Sequence, residues 1–399
     1  MKDTQKLGVL ATGLLLFAGI ATYRFIPFHA INGPGFSQLF GLDLLNVYLF
    51  HHCPEAMGNV YGVSGNVCGD PEGRPMLYPP LLFHLFGWVS FLSFPVVVHL
   101  WTGMTLTLFG VAGYLLYCAF QNENLALPPI IHGVLWFLFG LQFPMLFTLE
   151  RATNDAYIFF FFMVGVLLSQ KSKWYWVGFL LVGLTAYKIY PAFLVILIAA
   201  YSWKTPSFKK LIMALGLFGT VLFVFFWEEH LSYLERVLPQ WAAKTASFTV
   251  GLDHVILNMN QVVPYMGTAM CLVLLAAGLR LALQGTSHLA VWCYAFAICT
   301  FFQNTSFDYN LITTYPLFML LAALCFQKKE GQETIWALLI SGLLVFFVAR
   351  HLGTFYAGSI KYIAMWLWLV WVGFALTGRP RMFQAEKMAV ETGDESKSS

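Results

Sequence analysis

The chain has 399 residues, of which 59% are hydrophobic and only 10% are charged. A typical soluble domain has about 25% charged residues, so most of this surface cannot face water and the composition predicts a polytopic membrane protein. The net charge of +3 is too small to indicate nucleic-acid binding, and the absence of Walker, dinucleotide-glycine and His-Glu-x-x-His motifs argues against an ATP-driven pump and a zincin protease.

Apolar runs poor in charge predict twelve membrane-spanning helices and an all-α fold. The predicted spans cover residues 7–23, 96–120, 128–149, the stretch after 155 up to 170, 174–187, 191–203, 211–227, 262–283, 288–302, 309–326, 334–348 and 362–377. Residues 78–91 look like a further helix, but the charge distribution requires an odd number of crossings there. We therefore interpret 78–91 as a short segment that dips into the membrane or lies on it.

The positions of Lys and Arg set the predicted orientation, because these residues accumulate on the cytoplasmic side. Both termini are then cytoplasmic, and the polar segments 24–78, 150–155, 228–261, 303–308 and 350–361 lie on the opposite side together with Lys188. This predicts one transmembrane domain over residues 1–377, with a first external loop (24–78) that carries interfacial helices and a second long external loop (228–261). Residues 378–399 are predicted to be a disordered cytoplasmic tail.

Two of the seven cysteines, Cys53 and Cys68, fall in the first external loop. A zinc site would need further ligands at defined spacing, so this pair predicts a disulfide in an oxidising compartment.

The first external loop also contains Asp43, an isolated acid between apolar regions. If residues 41–48 are helical, Asp43 and Asn46 lie one turn apart on the same face. A surface loop with an incidental Asp is the alternative reading of this stretch.

Cations and further polar groups are predicted on the same side as Asp43. Lys and Arg can hold a phosphate, and a carboxylate can take a proton from an attacking hydroxyl, so the set suits a reaction on a lipid phosphate. For each cation alone, a snorkelling side chain is the competing interpretation.

The order of these motifs resembles the GT-C superfamily of membrane glycosyltransferases, and within it glycosyltransferase family 87, whose members use polyprenol-phosphate mannose. The resemblance rests on Asp43 followed by Val47-Tyr48, on Tyr-Pro-Pro-Leu at 78–81, on the segment 150–155, and on Lys-Ile-Tyr-Pro at 188–191. It implies a GT-C fold and an inverting transfer of a hexose, mannose by resemblance, from a polyprenyl-phosphate donor to a lipid-linked or cell-envelope acceptor. The expected location is a bacterial inner membrane, with the active site facing the periplasm.

In this reading Asp43 is the catalytic base. The predicted donor-phosphate residues are Arg151, Lys188, Arg350 and Lys361, and the predicted substrate-binding residues are Tyr48, Tyr78, Glu150, Asn154, Asp155, Tyr190 and Asp308. The first loop has no Asp-x-Asp motif, so no metal or other cofactor is expected. The competing classes are a lipid-linked-sugar flippase or transporter, whose charges would sit near the bilayer midplane, and an oligosaccharide-repeat polymerase.

Overall fold

The computed structural model describes residues 41–71, 73–76, 78–125, 127–142, 145, 148–149, 152–188, 191–237, 266–284, 287–299, 301, 308–327, 332–345 and 355–377. Within these ranges the secondary structure is helical and contains no strand, which confirms the all-α class. The predicted first span, most of the second long external loop (238–261) and the tail after 377 lie outside the described residues.

The described residues form fourteen α-helices. They are α1 Leu42–His51, α2 Pro80–Leu85, α3 Phe94–Asn122, α4 Pro129–Gly140, α5 Asp155–Gln170, α6 Trp174–Tyr187, α7 Ala192–Ser202, α8 Ser207–Phe225, α9 Trp227–Ser232, α10 Met266–Leu283, α11 His288–Cys299, α12 Tyr315–Phe326, α13 Gln332–Leu343 and α14 Phe355–Thr377. Four 3-10 helices (Pro54–Ala56, Val60–Gly62, Gly87–Phe91 and Asp308–Thr314) and a π-helical turn (Tyr233–Val237) complete the set.

The segment 78–91 does not form one long helix. It folds into α2 and the 3-10 helix Gly87–Phe91, and each piece extends only about 10 Å along its axis. That is far less than the roughly 30 Å of a bilayer core, so this segment is too short to cross it.

Predicted helices differ from the structure at several ends, and the last of them, predicted over 362–377, begins seven residues earlier at Phe355. The helix predicted over 128–149 ends at Gly140, four residues before Pro144, whose ring would clash with the carbonyl of residue 140 in a continuous helix. The helix predicted from residue 309 begins as the 3-10 helix Asp308–Thr314, and the α-helix starts only at Tyr315, where Pro316 suits the first turn.

Among the residues whose side chains the structure describes, two helices, α3 and α8, are long and apolar enough to cross a membrane. Along α8 only Leu211 and Ala214 are buried, whereas Leu217, Val224 and Phe225 are exposed. So much exposed apolar surface on one helix is consistent with a lipid environment. Twelve spans remain a prediction.

Most buried apolar side chains form one core cluster that includes residues from α1 to α14. Helices α3 and α5 pack against each other in it, as do α6 and α8. A smaller cluster joins the first external loop to the π-helical turn, and its members are Phe50, Cys53, Ala56, Val60, Tyr61, Cys68, Met76, Tyr233 and Val237.

The C-terminal ends of α3 and α5 meet the start of α11 at Glu123. The carboxylate of Glu123 accepts hydrogen bonds from the Ser287 hydroxyl, from the backbone N–H of Leu289 at 2.9 Å and from the side-chain amide of Gln170 at 3.3 Å. A carboxylate at the first turn of α11 satisfies N–H groups that have no partner within the helix. Glu123 therefore fixes three helices at the end of α3 away from α1.

Candidate active site

Helix α1, which carries Asp43, begins at a residue that only glycine suits. Gly41 has φ +72°, in the left-handed region, and a Cβ on it would lie 3.2 Å from a methyl carbon of Val98. Both the backbone conformation and the close approach to α3 therefore favour glycine. The start of α1 therefore lies close against the first turns of α3.

Asp43 and Asn46 lie on one face of α1, and both are buried. That face forms hydrogen bonds with Asp70, Arg74 and Pro75 of the first external loop. Nη1 of Arg74 donates to Oδ1 of Asp43 at 3.3 Å, and Nδ2 of Asn46 donates to Oδ2 of Asp70 at 3.0 Å. The same amide reaches the carbonyl oxygen of Pro75 at 3.4 Å. The surface-loop alternative for residues 41–48 is therefore wrong, because Leu42–His51 is a helix with a buried polar face.

Arg74 joins the two acids. Nη2 of Arg74 lies 3.0 Å from Oδ2 of Asp70, and Nε lies 3.3 Å from Oδ1 of the same carboxylate. Burial alone would raise the pKa of Asp70, but hydrogen bonds from Arg74 and Asn46, with the charge of Arg74, lower it below its ordinary value. These contacts favour the charged form of Asp70, which anchors the guanidinium.

A disulfide joins Cys53, just after α1, to Cys68, two residues before Asp70. The loop that it closes packs on Tyr233, and the rings of Tyr61 and Tyr233 meet edge to face with centroids 5.4 Å apart. The hydroxyl of Tyr61 donates to the carbonyl oxygen of Tyr78 at 2.9 Å. The disulfide and these contacts fix the path of the loop on both sides of the Asp70–Arg74 pair.

A second buried ion pair joins α5 to α6. Nζ of Lys188 lies 2.9 Å from Oδ2 of Asp155, and the side-chain exposures are 15% and 0%. Asp155 begins α5 and Lys188 directly follows α6, so the packing of these two consecutive helices side by side brings the charges together. Asp155 of the polar run 150–155 and Lys188 of the Lys-Ile-Tyr-Pro motif therefore meet in space, as the sequence predicts for these two residues.

Residue 152 lies between the start of α1 and the start of α5. Ala152 has φ +51°, and its Cβ lies 3.9 Å from the position that a Cβ on Gly41 would occupy. The N–H of Ala152 bonds to the carbonyl of Leu149 at 3.2 Å and the N–H of Thr153 to that of Thr148 at 3.0 Å. These are the two bonds of a Schellman helix end, with Ala at the position that usually takes Gly. The left-handed conformation turns the chain towards Asp155.

Aromatic side chains fill the space between the short segment 80–91 and the second ion pair. The ring of Phe86 contacts those of Trp101, Tyr157 and Tyr187, with centroid distances of 4.5, 6.2 and 6.1 Å. Nε1 of Trp101 donates to the carbonyl oxygen of Thr153 at 3.2 Å. The segment 80–91 thus packs over the start of α5 and the end of α6.

The remaining predicted site residues divide into two groups. Tyr48 is half-buried against Phe94, Tyr78 is half-buried at the core, and Asn154 is buried at the N-cap of α5. The side chains of Glu150, Arg151, Tyr190, Asp308, Arg350 and Lys361 lie outside the described part of the chain. Their roles stay predictions.

Asp70 and Arg74 are site residues that the sequence analysis missed. The available signal was the run Asp-Pro-Glu-Gly-Arg-Pro at 70–75, a turn sequence with opposite charges four residues apart. Across the described ranges, no group of three or more His, Cys, Asp or Glu side chains is close enough to hold a metal ion.

The described residues are all helical, with two long apolar helices and with buried acids paired to cations, an arrangement consistent with a helical membrane protein. The chain belongs to glycosyltransferase family 87, whose family model matches residues 76–305, more than half of its length. It is therefore a glycosyltransferase. No curated protein matches the chain. The matched range includes Asp155 and Lys188, whereas Asp43, Asp70 and Arg74 precede it.

Proposed function

We propose that this glycosyltransferase moves a hexose, mannose by family resemblance, from a polyprenyl-phosphate donor to a lipid-linked or cell-envelope acceptor, with inversion at the anomeric carbon. The observation that carries the proposal is the buried carboxylate of Asp43 beside a guanidinium, in a family 87 chain, at the same end of the helices as the Asp155–Lys188 pair. The proposed setting is a bacterial inner membrane with the site facing the periplasm. The Cys53–Cys68 disulfide supports an oxidising side of the membrane.

In the proposed reaction Asp43 accepts the proton of the acceptor hydroxyl as its oxygen attacks the anomeric carbon. The bond from the anomeric carbon to the phosphate oxygen breaks, and the lipid phosphate leaves with that electron pair. Cations stabilise the negative charge that develops on the leaving phosphate. Lys188 is the described candidate for this role, and Arg151, Arg350 and Lys361 are the further predicted candidates.

The experiment is transfer from radiolabelled polyprenyl-phosphate mannose to a membrane glycolipid extract by the purified protein. Asp43→Asn keeps the shape and the hydrogen-bonding oxygen of the side chain but cannot serve as a base. We expect turnover to fall by about 100-fold or more, the lower end for a positioned general base, while donor binding stays near that of wild type. A folded Asp43→Asn protein with near-normal turnover would overturn the assignment of Asp43.

The donor is tested separately by supplying polyprenyl-phosphate glucose in a parallel reaction. Faster transfer of glucose than of mannose would contradict the proposed sugar and leave the role of Asp43 standing. Movement of labelled lipid across reconstituted vesicles without formation of a glycoside would instead indicate the transporter class.

A further inference from the structure

The guanidinium of Arg74 contacts two carboxylates, those of Asp43 and Asp70. One terminal nitrogen contacts Asp43 of α1, and the other nitrogens contact Asp70 of the loop. A planar guanidinium with several fixed N–H donors can bridge two carboxylates in this way, whereas the point charge of a lysine cannot hold both with the same geometry.

We propose that Arg74 is a positioning residue for Asp43: it holds the carboxylate in the orientation needed for proton transfer, while Asp70 holds the guanidinium in place. The proposal rests on the proposed function of Asp43 as the base. It adds a residue that lies before the part of the chain matched by the family model.

The burial of the contact separates it from an ordinary surface ion pair. The side chains of Arg74 and Asp43 are 12% and 7% exposed, so little solvent is available to reorient either group. The oxygen Oδ1 of Asp43 accepts from Nη1, and this hydrogen bond restricts rotation of the carboxylate. A base must lie within hydrogen-bond reach of the proton that it takes, so its orientation affects turnover.

The partners of Arg74 come from separate elements that are themselves fixed. Asp70 follows the Cys53–Cys68 disulfide, and Asn46 of α1 donates to the same Asp70 carboxylate at 3.0 Å. The backbone N–H of Arg74 also donates to Oδ1 of Asp70, at 3.2 Å. The position of the Asp43 carboxylate therefore depends, through its contact with Arg74, on the position of the loop.

The test is a double-mutant cycle of Arg74→Lys and Asp43→Asn, with kcat and the donor KM measured for wild type, both single variants and the double variant. Arg74→Lys keeps the charge and loses the fork. We expect kcat to fall by about 10- to 100-fold, the effect of a small misplacement of a reacting group, with the donor KM near that of wild type. In the Asp43→Asn background the same change should have almost no effect on kcat, because Arg74 acts through Asp43.

Two controls distinguish positioning from stability. Arg236→Lys makes the same chemical change on an exposed arginine of the π-helical turn and should leave kcat unchanged. Asp70→Asn weakens the hold on the guanidinium and should lower kcat less than Arg74→Lys does, again with the donor KM unchanged. This second variant keeps the inference testable if Arg74→Lys protein fails to fold.

The inference is overturned if Arg74→Lys lowers kcat equally in the wild-type and Asp43→Asn backgrounds, or if its main effect is a raised donor KM. Wild-type turnover in both Arg74→Lys and Asp70→Asn would overturn it while leaving Asp43 as the base. Full activity of Asp43→Asn is the separate result that would overturn the proposed function itself.

Discussion

Replacing Lys188 with methionine removes one charge of a buried pair and keeps most of the side-chain volume. The nitrogen of Lys188 lies 2.9 Å from Oδ2 of Asp155, and the carboxylate side chain has no exposed surface. Exposed ion pairs contribute about 0.2–1 kcal/mol, but removal of one partner from a buried pair costs about 3–5 kcal/mol, because the other charge stays in a poorly solvated place. The solvent-excluded Asp155 puts this pair in the second class, and we expect a loss near the lower end of that range because Lys188 keeps some exposure.

The measurement is the free energy of unfolding in detergent micelles by denaturant titration. Asp155→Asn, combined with Lys188→Met, removes both charges and should recover most of the loss. Lys171→Met is the matched control: Lys171 is exposed just after α5, and surface changes of this kind stay within about 0.5 kcal/mol. The reasoning is refuted if Lys188→Met is no more destabilising than Lys171→Met, or if the double variant is as unstable as Lys188→Met alone.

The same variants separate stability from donor binding. If Lys188 also contacts the donor phosphate, Lys188→Met should weaken donor use by about 1.5–3 kcal/mol, the range for a hydrogen bond to a charged group. Asp155→Asn keeps the cation, so its donor KM should rise less than that of Lys188→Met. An unchanged donor KM in folded Lys188→Met protein would limit Lys188 to the ion pair.

Two further predictions concern the first external loop. Replacing both Cys53 and Cys68 with serine opens a loop with a sequence separation of 15 residues and should lower the free energy of unfolding by about 3 kcal/mol in the chain-entropy model. Denaturant titration of the oxidised wild type and of the double variant measures this loss. Equal stabilities of the two proteins would contradict the prediction. Burial lowers the pKa of His51 from its ordinary value of 6.5. The hydrogen bond to the Phe83 carbonyl raises this pKa in part, and the nearby His84 and His52 lower it further. The folded state therefore favours the neutral ring. The contribution of His51 to the free energy of unfolding is complete above pH 6.5 and declines as the pH falls below that value. Titration of the unfolding free energy between pH 7 and 5 should show a smaller decline in His51→Gln than in wild type, and identical pH dependence would refute the assignment.

The helices were predictable where local sequence alone decides their ends. Helix α6 runs from Trp174 to Tyr187, the predicted bounds, because charged residues precede it and Pro191 follows it. The start of α5 after the run 150–155 and its end at Gln170 were also predicted. The early end of α4 at Gly140 was readable from Pro144, and the prediction went wrong by giving the apolar run more weight than the proline.

The site was predictable only where its residues share a motif. Asp43 and Asn46 stand three positions apart, so a helix necessarily places them on one face. Arg74 lies 31 residues from Asp43, and its contact depends on the path of the loop between them. Composition and periodicity contain no information on that path, whereas the Cys53–Cys68 pairing, predicted from sequence, fixes part of it.

The position of Asp43 depends on backbone features as well as on charge. Helix α1 starts at the left-handed Gly41 against Val98, and residue 152, also left-handed, lies close to the same glycine. A left-handed conformation costs a non-glycine residue about 1–2 kcal/mol, and such strain persists only where surrounding contacts fix it. The Schellman bonds of Ala152 and Thr153 provide such contacts. The same turn leads into Asp155 and lies against the start of the helix that carries Asp43, so a shift in it would move both acids together. The helix that carries the proposed base and the turn that leads to the Asp155–Lys188 pair therefore adjoin at Gly41 and Ala152.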